Sequence, residues 1–496
     1  MSTSNLLEFG FDVLVFLVAV GIGRRRPWVP LIAFVWAVPY LGGNYIGGFL
    51  LGFAPAHALA FAIAVLTLTN RRAFPNGVHI LRNRLYIYLG ICVAAGLVGV
   101  CLVYARAGFI DQWLQQPPLR VLRSTGVELL RWLLLIAPVM LATREKLAGK
   151  LVRHAILAGL FYCGLGLAQF ASEQTVHYDP FPIARVTIGE STYHSQSVMD
   201  TGLNTRINSI CGEPRYLAAY SCLWFCLVAA LGKRVGLTAR VRILISIVFL
   251  VTLVLTGSRT GLLILLLSGL VVTITALFTG RVRQAAPLLA IGLVLMSIFS
   301  ALIINKVGSF GARNSQANLE DISSLQIGGI KVPIEWQEIG GISVMMQNPW
   351  QVPIGMGPGL WQYYVNPWDQ LAVSRAFMDA SSVGLDSQRS NIQILARFCD
   401  VGLIGCIAVV SVMIGLYRHG KSRVPVSLRG EYLLTFMLVA SLMQFAGMAD
   451  LLTFLMMGSA VQIYRELGPN VQAKDPSSAS ARPPQLKLSR VSISVV

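Results

Sequence analysis

The sequence predicts an all-α integral membrane protein that crosses the bilayer about 12–14 times, at about 20 residues per crossing. Of its 496 residues, 55% are hydrophobic and only 12% are charged. The mean hydropathy is +0.65, far from that of an ordinary soluble domain. Apolar runs long enough to span a bilayer recur along the chain, and one long polar stretch, 306–390, interrupts them. These observations predict a polytopic helical protein with one large loop.

The apolar runs define the predicted spans in chain order. The first run lacks a basic segment before it and a small-residue cleavage site, and Arg24–Arg26 follow it. We therefore expect a membrane span there rather than a cleaved signal peptide. The spans lie near 6–22, 28–43, 46–69, 85–105, 125–142, 154–171, 215–232, 242–257, 260–279, 286–305, 391–417, 431–448 and 450–464.

Basic residues fall in alternate loops between these spans, which predicts their orientation. Of the 40 Lys and Arg, 26 lie on one side, in short loops such as 24–26, 144–153, 233–242 and 418–429. The positive-inside rule makes that side cytoplasmic, so the loops 172–214 and 306–390 are predicted to be extracytoplasmic. The net charge of +18 then reflects topology and contact with anionic membrane lipids, and no nucleic-acid partner is expected.

The chain divides into a polytopic membrane domain, 1–468, and a short tail, 469–496. The tail is rich in Pro, Ser and basic residues, which predicts a disordered cytoplasmic segment. The 8 cysteines lie almost all within spans and form no CxxC or Cys/His cluster. Neither a disulfide framework nor a metal site is predicted.

Three arginines stand where a span meets the predicted outer face. Arg215 opens a span after Pro214, Arg259 lies at a tight turn between two spans, and Arg389 precedes the span that follows the long loop. An arginine at such a position is costly unless it snorkels to the headgroups, is paired, or faces a polar cavity. Because guanidinium binds phosphate bidentately, three arginines on one face favour a site for an anion.

Other charges within the spans are interpreted as structural. Glu128 and Arg131 are three residues apart on one predicted helix, and so are Arg397 and Asp400. Residues at this spacing face each other, so each pair can neutralise itself locally.

Four segments resemble, in order, the motifs of a family of bacterial membrane enzymes. GEPRYLAAY (212–220) is similar to its E-P-S/R-x-x-A segment, and LTGSRTGLL (255–263) to its S-R-T/S/G-G helix start. NPWQVPIGMGPGLWQYY (348–364) is similar to its N/H-P-L-x-G-x-G-P-G-x-F outer-loop element. SNIQILARFCDVGLIG (390–405) is similar to the H-N-x-x-L-Q-x-L-x-E-x-G-x-x-G element that follows. Over roughly residues 210–405 the chain thus resembles the O-antigen polymerase (Wzy-type) and O-antigen ligase superfamily.

The resemblance implies a GT-C-like helical fold in the bacterial inner membrane, with its active face in the periplasm. It implies a metal-independent glycosyltransferase without a cofactor that joins oligosaccharide repeat units carried on undecaprenyl pyrophosphate. A sugar hydroxyl of one unit attacks the anomeric carbon of the growing chain, and undecaprenyl pyrophosphate leaves. The implied partners are this lipid-linked oligosaccharide, a chain-length regulator and a flippase.

Within this chemistry the arginines Arg215, Arg259 and Arg389 would stabilise the pyrophosphate leaving group. Glu213 is the acidic residue nearest to Arg215 in the sequence, and it reads either as the general base or as the structural partner of an arginine. Asn391 would either orient a sugar hydroxyl or bond the loop backbone.

The long loop carries residues suited to binding a sugar. The aromatic residues Trp350, Trp361, Tyr363 and Tyr364 suit stacking on pyranose rings, and equally an interfacial aromatic belt. Gly357 belongs to a glycine-rich stretch that reads as a turn or as a close approach to substrate. No strand–helix context supports a nucleotide-binding loop there.

Two other functions remain open. An O-antigen ligase would share the fold and donor but transfer the polysaccharide to lipid A core; ligases of the superfamily have a His-Asn pair where this chain has Ser390 and Asn391. A polyprenyl-linked oligosaccharide flippase or another transporter would have a similar number of spans. Such transporters usually show internal repeats, which this sequence lacks.

Overall fold

The computed structural model describes residues 3–26, 28–40, 55–69, 79–105, 147–177, 186–188, 191–193, 207–211, 214–280, 290, 294, 324–327, 330–333, 345, 349–358, 360, 393–442 and 449–474. Within these ranges the chain is predominantly helical. Five helices are long and apolar enough to cross a membrane. The prediction of a helical membrane protein is therefore confirmed.

The first half of the described chain contributes five helices. They are α1 (Thr3–Arg25), α2 (Trp28–Ala37), α3 (Pro55–Thr69), α4 (His79–Ala105) and α5 (Ala148–Val176). Helices α1, α2 and α3 pack on one another, and α2 also packs on α5.

The second half contributes six helices. They are α6 (Pro214–Leu231), α7 (Ala239–Leu255), α8 (Arg259–Thr279), α9 (Gln393–Lys421), α10 (Arg429–Ser441) and α11 (Ala449–Lys474). Helix α6 lies at the centre: it packs against α5, α7, α8, α10 and α11, and 78% of its residues are buried. Helix α9 packs mainly on α4.

Two short antiparallel hairpins depart from the all-α prediction. Strands β1 (Val186–Ile188) and β2 (Ser191–Tyr193) pair within the predicted loop 172–214. Strands β3 (Ser324–Ile327) and β4 (Ile330–Pro333) pair within the predicted loop 306–390. Both lie outside the predicted spans, where backbone groups need partners other than those of a helix.

Eleven of the predicted spans coincide with described helices. The span 125–142 lies outside the described residues, as does 286–305 except for positions 290 and 294. Helix α11 continues from the span to Lys474, so it includes the first six residues of the predicted tail.

The core around α6 is built on stacked aromatic rings. The ring of Trp224 stacks on those of Tyr162 and Tyr220, with centroids 6.0 and 5.7 Å apart. Gly159 of α5 permits this packing, because a Cβ there would lie 2.5 Å from the Trp224 ring. Aromatic contacts of this kind add to the van der Waals packing that must hold membrane helices together without a hydrophobic driving force.

The basic residues of several helices meet at one end of the bundle, which we call the basic end. Arg153, near the start of α5, donates from Nε to the Val235 carbonyl in the α6–α7 turn, at 2.7 Å. Arg234 in the same turn forms a bidentate salt bridge with Glu431 at the start of α10, with Nη2 2.7 Å from each carboxylate oxygen. The Tyr464 hydroxyl also donates to Glu431.

The helix ends opposite these contacts form the far end of the bundle. It holds the end of α4, the end of α5, and the starts of α6, α8 and α9, because the chain alternates in direction from helix to helix. Three of the four family-like segments, 212–220, 255–263 and 390–405, include these helix starts.

We expect reporters to divide between the two faces as the basic loops predict. Cysteines introduced near Phe181 and at Ala317 should react with a membrane-impermeant thiol reagent in intact spheroplasts. Cysteines introduced near Arg72 and at Ser422 should react only after the membrane is opened. Labelling of position 317 only in opened vesicles would place the long loop in the cytoplasm and remove the basis for an extracytoplasmic reaction.

Candidate functional site

Two helix starts lie side by side at the far end of the bundle. Gly261, in the first turn of α8, contacts Ala218, in the first turn of α6, so closely that a Cβ on the glycine would lie 2.6 Å from the Ala218 Cβ. One turn further along α6, the Cys222 thiol donates to the Gly261 carbonyl at 3.1 Å. The two helices run in the same direction, so their amino-terminal ends, with Arg215 and Arg259, are adjacent.

The start of α8 is set by a tight, buried turn. Ser258 is the N-cap, and its hydroxyl accepts from the Gly261 amide at 3.3 Å. The Thr256 hydroxyl donates to the Leu253 carbonyl and accepts from the Ser258 amide, and Gly257 takes the left-handed conformation with φ 57°. N-capping and a glycine turn are common devices for starting a helix at a defined residue. That first residue is Arg259, for which the structure describes the backbone.

The start of α6 is held by a glutamine from α5. The buried side chain of Gln169 accepts from the amides of Asn208 and Ser209, at 3.1 and 2.9 Å, and donates to the Asn208 side chain at 2.6 Å. The Ile207 amide donates to the Leu255 carbonyl at the end of α7, at 3.3 Å. The segment 207–211, which leads into α6, is therefore tied both to α5 and to the turn before Arg259.

Arg215 is the second residue of α6 and is half-buried. Its guanidinium lies 5.2 Å from the centre of the Tyr216 ring, and its Nε is shielded from solvent. A guanidinium over an aromatic face gains a cation–π interaction. Arg215 is thus a half-buried cation in the first turn of α6.

The electrostatics of the two helix starts favour an anion. Each helix start presents backbone N–H groups and the positive end of a helix dipole. Arg215 is the second residue of one helix start and Arg259 is the first residue of the other, so each start carries a basic residue. Phosphate groups bind readily where helix amino termini and arginines meet. The two adjacent helix starts therefore favour binding of an anionic group.

A buried carboxylate that sequence reasoning missed lies one turn after Gln169, on the helix that holds the segment leading into α6. Glu173 is in the last turn of α5 and is 6% exposed. Residues four apart lie on one helix face, so Glu173 shares the face of Gln169, which holds the segment leading to Arg215. The polar spacing Gln169–Glu173 at the end of the predicted span 154–171 was the signal that could have identified it, because the helix continues to Val176.

Part of the long loop is inserted between two helices. Residues 349–360 include a short 3-10 helix, Pro349–Gln351, followed by turns. The amides of Met356 and Gly357 donate to the carbonyls of Cys399 and Asp400 in α9, at 2.8 and 2.9 Å. In return, the amides of Leu403 and Ile404 donate to the carbonyls of Val352 and Pro353, at 2.9 and 3.0 Å. We call residues 349–360 the docked segment.

Gly357 makes its close approach to the protein itself. A Cβ at this position would lie 2.8 Å from the Leu360 side chain and 3.0 Å from the Ala95 carbonyl of α4, and the residue has φ 99°. The predicted turn role thus agrees with the structure, whereas the surface that Gly357 approaches is α4. Trp350 is 48% exposed at the start of the docked segment.

Arg397 and Asp400 are buried in the first part of α9, at 4% and 0% exposure. The Arg397 guanidinium lies 5.8 Å from the centre of the Phe454 ring in α11. The Asp400 carbonyl accepts from the docked segment. Arg397 thus contacts α11 and the Asp400 backbone contacts the docked segment, while the ion pair between these two side chains stays a prediction.

Six of the predicted site residues lie outside the described residues: Glu213, Trp361, Tyr363, Tyr364, Arg389 and Asn391. Glu213 directly precedes α6, and Asn391 comes two residues before α9. Across the described ranges, no group of three or more His, Cys, Asp or Glu side chains is placed to hold a metal ion.

Comparison with known proteins finds neither a protein-family model nor a curated protein that matches the chain.

Proposed function

We propose that the protein is a polysaccharide polymerase of the bacterial inner membrane. It joins oligosaccharide repeat units carried on undecaprenyl pyrophosphate, acts at the outer leaflet and has a GT-C-like arrangement of helices. The observation that carries this proposal is the contact between Gly261 and Ala218, which brings the starts of α8 and α6 together with Arg259 and Arg215. The motif resemblance over 210–405 supplies the substrate class.

In the proposed reaction a hydroxyl oxygen of the acceptor sugar attacks the anomeric carbon of the donor chain. The bond between that carbon and the pyrophosphate oxygen breaks, and both bonding electrons go to the pyrophosphate. Arg215 and Arg259 stabilise this negative charge in a site of low dielectric, where fixed charges act strongly. The hydroxyl proton passes to a carboxylate, for which Glu213 and Glu173 are the candidates.

The docked segment supports the acceptor or donor sugar in this proposal. Trp350 offers an exposed ring at the start of the segment, and Trp361, Tyr363 and Tyr364 follow at its end. Aromatic rings stack on the apolar faces of sugars in the same way that they pack in interfaces. Membrane lipids, a chain-length regulator and a flippase are the further partners expected of such an enzyme.

The experiment is reconstitution with the cell's own substrate. Lipid-linked repeat units extracted from a strain that lacks the protein should be converted by the purified protein in liposomes to a ladder of longer chains. A parallel reaction with lipid A core as acceptor separates a polymerase from a ligase, because a ligase would cap the core without forming a ladder. Unchanged repeat units in both reactions would refute the proposed activity.

The interruption of α9 at Gly402 favours transport as the second candidate function. Broken helices are common in transporters, where the freed backbone groups coordinate the substrate or ion. In this chain the freed groups on α9 bond to the docked segment, which argues for a structural use of the break. Translocation of lipid-linked units across liposomes without chain growth would support transport.

Replacement of Arg389 tests whether it assists the leaving group. We expect Arg389→Ala to lower turnover by about 10-fold or more, since one donor to the developing charge is lost. Arg389→His should not restore it, because the role requires a permanent positive charge and not a base. Turnover would be measured on extracted repeat units. Full activity of Arg389→His would instead indicate that a histidine-like base acts at this position.

A further inference from the structure

Helix α9 is interrupted at one residue, and the interruption is filled by the docked segment. Gly402 has φ 63° and ψ −167°, which no helix contains. In an unbroken helix the amide of Leu403 would bond to the carbonyl of Cys399, and the amide of Ile404 to that of Asp400. All four groups instead bond to the docked segment. Two hydrogen bonds within α9 are thus replaced by four hydrogen bonds between α9 and the docked segment.

The exchange requires glycine on both sides. A Cβ on Gly355 would lie 2.5 Å from the Gly402 amide nitrogen and 2.6 Å from the Asp400 carbonyl oxygen. A Cβ on Gly402 would lie 2.5 Å from the Pro353 carbonyl. Both residues have positive φ, 77° and 63°, which L side chains rarely adopt. Neither position accepts a side chain in the docked arrangement.

Helix α4 supports the docked segment from its other side. Gly99 faces the Met356 carbonyl so closely that a Cβ there would collide with it. Met356 and Leu360 are fully buried. The segment is therefore packed between α4 and α9, the two helices that lie against each other in the bundle, and it reaches past the first turns of α9.

We propose that Gly355 and Gly402 are positioning residues for the reaction proposed above. The described chain leaves the docked segment at Leu360 and returns at Gln393, so the junction holds both ends of the stretch 361–392. Of the predicted substrate-binding residues, Trp361 directly follows Leu360, and one residue separates Asn391 from Gln393. The docking therefore fixes Leu360 and Gln393, the residues on either side of this stretch, relative to each other. The inference rests on the proposed function.

The geometry predicts what loss of either glycine does. Alanine at 402 readily takes helical dihedral angles and favours an unbroken α9 with its own two hydrogen bonds restored. The docked segment would then lose its partners and leave. The bundle keeps its helices, whereas the loop residues lose their position. Misplacement of about 1 Å can lower turnover by roughly 100-fold.

Docking and turnover can be measured separately. Met356→Cys introduces a thiol at the residue whose amide donates to the carbonyl of the native Cys399. Mild oxidation should join the thiols of residues 356 and 399 in a disulfide. Trypsin cuts between these residues, at Arg375 and Arg389. The two tryptic peptides that carry the thiols should therefore stay linked. We expect the Met356→Cys single variant to form this cross-link. The double variants that add Gly402→Ala or Gly355→Ala should not form it. Gly90→Ala and Gly164→Ala are matched controls, since a Cβ at either meets nothing within 4 Å.

The second measurement is the rate of ladder formation on extracted lipid-linked repeat units. We expect Gly402→Ala and Gly355→Ala to lower kcat/KM by about 100-fold, through a lower kcat or a higher KM. Both control variants should react at about the wild-type rate. The cross-linked Met356→Cys protein, in which the segment cannot leave, should keep its activity. Reduction with dithiothreitol then changes the rate little.

Three results would overturn the inference. The first is failure of Met356→Cys to cross-link in the native background. The second is an active Gly402→Ala protein that has lost the cross-link, and the third is an inactive cross-linked protein that reduction restores. A wild-type protein without ladder activity would refute the proposed function while leaving the cross-linking results to decide whether the segment docks. The two failures are therefore distinguishable.

Discussion

Arg215→Ala and Arg259→Ala should each reduce chain growth by about 10²–10³-fold while leaving the protein abundant in the membrane. The physical reason is that each variant removes the basic residue of one of the two adjacent helix starts. In the proposed reaction, charge develops on the pyrophosphate oxygen as the bond to the anomeric carbon breaks, and water does not stabilise it as well as a preorganised guanidinium does. The measurement is the ladder rate with extracted repeat units, together with the amount of folded protein.

Lysine at these two positions should restore activity only in part. It supplies the charge but not the planar pair of donors that matches a phosphate. The matched control is Arg240→Ala, since Arg240 is an exposed arginine in the first turn of α7 at the basic end. Activity close to wild type in both Arg215→Ala and Arg259→Ala would show that these arginines only contact headgroups, and would remove the basis of the proposed site.

The helices could be predicted from the sequence because their signals are local. Apolar runs, Pro214 at a helix start, and the Thr256–Ser258 turn before Arg259 each act within a few residues. The distribution of the basic loops predicts the end of the bundle at which each helix starts. The contacts of Arg153 and Arg234 confirm that the basic ends of α5, α10 and the α6–α7 turn meet. Residues close in the sequence were therefore sufficient to predict where these helices start.

The contacts between distant segments could not be predicted in this way. Gly261 reads as a turn residue, and only the packed structure shows that it admits Ala218. Gly402 lies in the run Val401–Gly405, which is as apolar as a continuous span, and its break depends on hydrogen-bond partners in the docked segment. Its energetic cause is therefore nonlocal, since an unfilled break would leave backbone groups unsatisfied in an apolar environment.

Glu173 shows the same limit for a site residue. Counted along the sequence, Glu213 is the carboxylate nearest to Arg215, and Glu173 belongs to another helix. The bond network of Gln169 brings the last turns of α5 to the segment that leads into α6. Proximity in the sequence therefore identified one candidate base, and the packing of α5 adds a second.

The same substitution, Glu→Gln, at positions 173 and 213 distinguishes which of the two carboxylates acts as the base. The residue that takes the acceptor proton should lose about 10²–10⁴-fold in turnover when Glu is replaced by Gln, because the amide has nearly the same shape but cannot accept a proton. We expect this loss for Glu173→Gln, since Glu173 is buried on the face of α5 that holds the segment leading into α6. Glu213→Gln should lower activity across the pH range if Glu213 shares the role. Glu466→Gln, in α11 at the basic end, is the control for a changed carboxylate away from the site.

The pattern of activities decides among the possible roles. A large loss in Glu173→Gln with a small loss in Glu213→Gln assigns the base to α5 and leaves Glu213 as the partner of an arginine at the start of α6. The reverse pattern makes Glu173 a structural carboxylate. Wild-type ladders from both variants would mean that neither residue takes the proton, and that the site works by orienting the acceptor hydroxyl while the arginines carry the leaving group. In that last case the Arg215 and Arg259 variants should still lose activity, because charge on the pyrophosphate develops whether or not a base assists the attack.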